Sequence, residues 1–229
     1  MTMPVSTTTE PRPARATDTP AVGPRVAPLS GLLAVLAVVT GLALDNFPNA
    51  GVGDTGVATW FATHGTTRWF VSGGFIAMGG TALLAFTAAL AARAEALPGI
   101  DGAPVARRLV PLAGTAWAVL TMVGGAIWLS VPMALRMFEA KPSHEVVLMA
   151  GPAYAMLVSV CAFGAAALAA ALTAVSRRTG LLPRWLTRLG YPAAVLMLTN
   201  VLLPMAVITL WYGAVSVALA RRTAPTPAD

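Results

Sequence analysis

Charge is what this sequence has least of. Asp, Glu, Lys and Arg make up only 10% of its 229 residues, against 57% hydrophobic. A water-soluble fold of this length has too small an interior to hide so much apolar side chain, so the surplus must face lipid. Cysteine occurs once, at Cys161. That excludes an internal disulfide and any zinc or iron–sulfur site built on several thiolates. Inside an apolar run, Cys161 reads as a small core residue. Lysine also occurs once, at Lys141, and histidine twice, at His64 and His144. Phosphate-cradling P-loops, the HExxH of zinc proteases and the GxSxG nucleophile elbow are missing. The ten-residue alternation of an outer-membrane barrel is missing too.

What is present are long uncharged windows: Val26 to Leu44, Trp69 to Ala92, Leu109 to Leu135, Val146 to Ser176 and Leu189 to Ala220. Each matches or exceeds the roughly 20 residues that cross a bilayer as helix. Backbone hydrogen bonds must close within each segment in lipid, so the expected fold is an all-α integral membrane protein. None of the windows holds a charged residue, which argues against a proton-relay transporter or a voltage sensor.

The net charge of +6 does not form a nucleic-acid footprint, because the basic residues stand at span ends rather than on one face. They read as topology signals. Arg12, Arg15 and Arg25 precede the first span. Arg93, Arg107 and Arg108 fall in the second connection, and Arg177, Arg178, Arg184 and Arg188 in the fourth. These are expected on the cytoplasmic side, which places the N-terminus there. The first and third connections carry only Arg68, Arg136 and Lys141, and belong outside.

Leu189 to Ala220 is long for one crossing and short for two. As a single helix bent at Pro204 it leaves Arg221 and Arg222 outside. As a hairpin, capped at Asn200 and turning through Val201 to Leu203, it returns them inside and puts twelve basic residues against three. The expectation is therefore six spans (about 28–45, 69–92, 109–135, 146–176, 185–200 and 204–220), with five as the alternative; the last two are short, about 24 Å each. Residues 1–27, rich in Thr and Pro, are expected to be a disordered cytoplasmic tail, 28–222 the helical bundle, and 223–229 a second disordered tail. An uncleaved first span is preferred to a signal peptide, because Asp45 and Pro48 crowd the supposed cleavage site.

In the first outer connection Val57, Trp60, Phe61 and His64 fall at i, i+3, i+4 and i+7. That spacing predicts a short amphipathic helix, started at Asp54 or Thr55, lying at the interface. Gly151 and Pro152 should kink or restart the fourth span. Because lipid offers no hydrophobic drive for helix association, small residues should mark the contacts. Candidates are Gly73, Ala77 and Thr81; Gly114, Ala118, Gly124 and Gly125; and the ridges Ala162, Ala166, Ala170, Ala174 and Cys161, Ala165, Ala169, Thr173.

The stretches TWFATHG (59–65), LLPRWLTRLG (181–190) and LWYGAVSVALARR (210–222), with the order and lengths of the spans, resemble uncharacterised actinobacterial multi-pass membrane proteins of domain-of-unknown-function families. The resemblance covers most of residues 28–222. It implies a six-helix bundle and carries over no catalytic residue.

The candidate site is an outer rim. Asp45, Asp54, His64, Arg136, Glu139, Lys141, His144 and Glu145 all fall in or beside two connections. Simple solvated or ion-paired loop residues explain them. So does an acid, Asp45 or Glu145, working beside an apolar cavity lined by Trp69, Trp128, Met133 and Met149, since burial raises a carboxyl pKa as general-acid work requires. His64 and His144 stand on different connections in no recognised metal motif, so no metal and no cofactor is expected. Trp117 and Trp211, deeper than the usual aromatic belt, either line a lipid or isoprenoid pocket or pack in the core. The leading expectation is a non-enzymatic accessory, lipid-binding or assembly partner in the bacterial cytoplasmic membrane. Its partners would be membrane lipid and a membrane protein or second copy. A small membrane enzyme on an isoprenoid or lipid, and a passive small-solute channel, are the alternatives.

Overall fold

Side-chain size sets which way the first helix faces. Along α1 (Val26–Leu44) the buried positions are small, Ala27, Ser30, Gly31, Ala34, Ala37 and Gly41, while Leu29, Leu33 and Leu36 are 50–64% exposed. Water would enforce the reverse arrangement, with leucines inward. Lipid permits it, because a leucine is as well solvated by acyl chains as by protein, whereas close backbone approach requires small residues.

A computed structural model describes residues 25–44, 53–199 and 203–223. The described residues are helical, with no strand. After α1 come α2 (Asp54–His64), α3 (Thr67–Glu95), a 3₁₀ turn (Ile100–Gly102), α4 (Pro104–Met137), α5 (His144–Leu148), α6 (Gly151–Ala155), a π-helical turn (Met156–Val160), α7 (Cys161–Thr179), α8 (Arg184–Leu196) and α9 (Leu203–Thr223). Four stretches are long and apolar enough to cross a membrane: α1, α3, α4 and the run from His144 to Thr179.

The long helices overshoot the uncharged windows. Residues 69–92 become 67–95, and 109–135 become 104–137, because Arg93, Arg107 and Arg108 are good helix formers and end the apolar stretch without ending the helix. The expected break at Gly151 and Pro152 is present. A turn at Met149–Ala150 separates α5 from α6, Pro152 enters the first turn of α6, and the π turn follows. For the last window there are two helices, 184–196 and 203–223; Asn200 to Leu202, read as part of the turn, lie outside the described residues, as do 1–24 and 224–229 of the two expected tails.

α3 packs on α1 and α4, α4 on α7, α9 on α1, and α8 on α7 and α9. Glycines set the spacing. A Cβ on Gly41 would lie 2.9 Å from the Ser72 carbonyl, one on Gly80 2.9 Å from that of Ala118, and one on Gly125 2.8 Å from the Ala77 nitrogen. The α3 and α4 residues expected at contacts are there, with one correction. Thr81 is exposed and its hydroxyl bonds back to the Ala77 carbonyl, so Gly80 makes the contact in its place. On α7, Ala165, Ala169 and Thr173 are fully enclosed, while Ala170 and Ala174 are half-exposed.

Polar bonds within the bundle tie helices together as well. Ser72 Oγ donates to the Gly41 carbonyl at 2.7 Å, and the buried Tyr212 hydroxyl donates to the Ala165 carbonyl at 2.7 Å. At one end of the bundle the Arg222 guanidinium donates to the Gly180 and Leu181 carbonyls just past α7. The C-terminal ends of α7 and α9 therefore lie side by side.

Candidate functional site

The candidate rim is held by packing that starts in α2. Val57 and Phe61 turn inward and are buried and Trp60 is half-buried, while His64, expected on the same face, is exposed at the end of the helix. The helix starts at Asp54 and stops at Gly65, whose φ of +66° favours a residue without a Cβ. From there a chain of rings runs into the bundle. His64 stacks on Trp60 at 4.8 Å, Trp60 meets Phe61 edge-on at 5.0 Å, Phe61 stacks on Trp69 at 5.7 Å, and Trp69 tilts against Trp128 at 5.5 Å.

Among the described residues, Asp54 and Arg136 engage backbone and hydroxyl groups. Asp54 Oδ1 accepts from the His144 backbone N–H at 2.7 Å, pinning the α5 connection to α2. Arg136, the last basic group of α4, donates to the hydroxyls of Thr66 and Thr67 at the start of α3. His64 Nδ1 donates to the Trp60 carbonyl at 3.1 Å, a bond within its own helix. Glu139 and Glu145 are exposed. Glu139 occupies a left-handed turn, φ 51°, beyond α4, where the Ala134 carbonyl accepts from both Phe138 and Ala140. Ser143 caps α5, its hydroxyl accepting from the Val146 N–H at 3.4 Å. His144 Nδ1 is buried without a partner among the described residues. Asp45 lies outside them. Among the described residues no three His, Cys, Asp or Glu side chains gather as metal ligands would.

The aromatic candidates divide. Trp69 and Trp128 are buried in mutual contact, but Met133 and Met149 are 37% and 52% exposed. The four do not close around a common cavity, because α4 and the α5–α6 turn direct both methionines outward. Trp117 and Trp211 are both buried against Tyr212, at 4.6 and 4.8 Å, with Phe86 edge-on to the same ring at 6.3 Å. Trp117 also lines an enclosed apolar cavity with Ala34, Thr121, Leu157, Cys161 and Ile208. Its two buried polar groups serve each other, Thr121 Oγ1 lying 2.9 Å from the Trp117 carbonyl and 3.6 Å from Cys161 Sγ. The cavity holds about 40 Å³, room for a water molecule and far below the 300 Å³ or so at which drug-sized pockets begin.

Larger spaces lie at the arginine-rich end, which sequence reasoning treated only as a topology signal. One cleft of about 620 Å³ is bordered by the start of α4, by Ala174, Arg177 and Arg178 of α7, and by Tyr191 of α8. Another of about 500 Å³ lies beside Glu95, Asp101, Arg107 and Arg108, where Arg107 reaches Asp101 at 3.5 Å in an exposed pair. Arginines one and two residues beyond an apolar window, Arg177 and Arg178 after Ser176, are the signal that could have located the first cleft. The missing element was the 3₁₀ turn, which brings α4 alongside. No family model matches the chain, and no curated protein and no solved structure matches it either.

Proposed function

We propose that this chain is a six-span protein of the bacterial cytoplasmic membrane, N-terminus inside, that acts by binding membrane lipid as an accessory or assembly partner and performs no reaction of its own. One observation carries the reading: where the empty space is. The enclosed cavity between α1, α3, α4, α7 and α9 has room for about a water molecule, about 40 Å³, whereas the clefts of several hundred Å³ open beside arginines. An acid-catalysed isoprenoid enzyme needs a chamber for its substrate beside its acid. The rim carboxylates Asp54, Glu139 and Glu145 do not border the enclosed cavity.

Six spans are supported by the pairing of Arg222 with the carbonyls that end α7, since a hairpin of α8 and α9 returns the chain to the side it left. The positive-inside rule then makes that side cytoplasmic. The resemblance to actinobacterial multi-pass membrane families fits the same plan.

The test is lipid retention by the full-length chain purified in detergent. Phospholipid carried through size exclusion and released on denaturation is the expected result, unchanged by alanine at Asp45, His64 and Glu145. A chain that arrives and remains lipid-free in proteoliposome exchange overturns the proposal. So does turnover of an isoprenoid that those three substitutions abolish. A reporter fused after Asp229 that proves extracytoplasmic overturns the six-span topology.

A further inference from the structure

We infer that the cleft between the start of α4, the end of α7 and α8 binds the phosphate headgroup of an anionic phospholipid, with one acyl chain lying along α7. The inference rests on the lipid-binding reading above and assigns it a place.

Charge comes first. Arg177 and Arg178 are the charged residues bordering this cleft, and no carboxylate borders it. The neighbouring cleft sets Glu95 and Asp101 against Arg107 and Arg108 and is balanced. Two similar spaces at one end of the molecule thus differ by two positive charges. Arg177 and Arg178 are both exposed, their guanidinium forks suit phosphate oxygens, and the Arg177 guanidinium rests 5.9 Å over the Tyr191 ring, which orients it.

The backbone adds to this. No side chain caps α4, Pro104 at its first turn brings no N–H, and Arg107 N–H is already bonded to the Ala103 carbonyl. Val105 and Ala106, in the first turn of α4, border the cleft at the positive end of a 34-residue helix. The alternative ligand for such a site is a soluble phosphate, and the apolar surroundings decide against it. On the open face of α7, Ala174, Ala170 and Ala167 succeed one another at helical spacing from Arg177 toward the middle of the helix, half-exposed or exposed. They make a lane that reaches about 15 Å from Arg177 to Ala167. α4 and α8 both pack on α7. Val105, 69% exposed, and Tyr191, 41% exposed, flank its mouth.

The experiment titrates the full-length, delipidated chain in detergent with phosphatidylglycerol, with phosphatidylcholine of the same acyl chains, and with inorganic phosphate, reading bound ligand by native mass spectrometry. Phosphatidylglycerol should bind in preference to phosphatidylcholine. R177Q/R178Q should weaken it about twenty-five-fold, at roughly fivefold per basic residue, while R107Q/R108Q, which removes the same charge from the balanced cleft, changes it little. Ala170→Phe, which blocks the lane, should also weaken phosphatidylglycerol. If the double glutamine variant does not elute as a folded species, R177Q alone carries the test with a roughly fivefold loss. Equal losses in both arginine pairs overturn the site in favour of diffuse attraction. Displacement of phosphatidylglycerol by millimolar phosphate, with Ala170→Phe without effect, overturns it in favour of a free anion. Phosphatidylglycerol that binds yet ignores Arg177 and Arg178 sinks this site alone; a chain that binds no phospholipid at all sinks the lipid-binding reading.

Discussion

The two ends of the bundle are built on opposite plans. At the α2 end, five rings from His64 to Trp128 touch in sequence, Asp54 pins the α5 connection, Arg136 is held by two hydroxyls and Ser143 caps α5. Asp54 and Arg136 there hold elements together. At the other end Arg177 and Arg178 border a cleft with no carboxylate in it, and α4 begins uncapped. Polar residues that are satisfied internally stabilise a shape; charge left uncompensated next to open space is available to a ligand. The end that carries both histidines is therefore the less suited to binding an anion, and the arginine-rich end the better suited.

The comparison breaks most visibly at Trp69. Trp69→Ala removes the ring that bridges Phe61 to Trp128 and leaves a cavity in a fully packed region, which should cost about 3 kcal/mol. Thermal unfolding in detergent reads the loss, and trypsin should cut faster at Arg68 as α2 comes away. Phospholipid binding at the far end should not change. A loss under about 1 kcal/mol would mean that the rings touch without supporting one another.

Arg222→Ala is next. It removes two charge-assisted bonds to the carbonyls beyond α7 and a cation at a helix C-terminus, about 1 kcal/mol for an exposed group. The deficit should shrink in high salt, which no effect of Trp69→Ala should do. Asp54→Ala should cost about 0.5 kcal/mol, seen as faster amide exchange at His144 and little elsewhere.

How far the fold was legible follows from what each residue signals. Runs without charge gave the long helices and the restart at Pro152, but not the helix ends, since an arginine leaves the membrane while remaining helical. The amphipathic α2 was readable because Val57 and Phe61 share a face. The partners of Asp54 and Arg136 were not, because proximity along the chain carries no direction for a side chain. Arg136 turned to Thr66 and Thr67. Tyr212 was missed altogether. One hydroxyl in an apolar window resembles any lipid-facing tyrosine until its acceptor, the Ala165 carbonyl, is seen across the bundle. The arginine cleft depends on a 3₁₀ turn, Ile100–Gly102, that no periodicity announces.

The smallest effect has the opposite sign and bears on whether the α2 end hides a function. Glu139 was a candidate acid, yet it is the non-glycine residue with a positive φ, 51°, among the described residues, in the turn where the Ala134 carbonyl takes two N–H groups. A Cβ in that conformation costs about 1 kcal/mol, while glycine's extra freedom in the unfolded chain takes back about 0.5 kcal/mol. Glu139→Gly should therefore raise stability by a few tenths of a kcal/mol, with lipid retention intact. If glycine there abolishes any measured activity while the protein grows more stable, the strain at Glu139 is kept for function, and the α2 end is no longer merely the structural one.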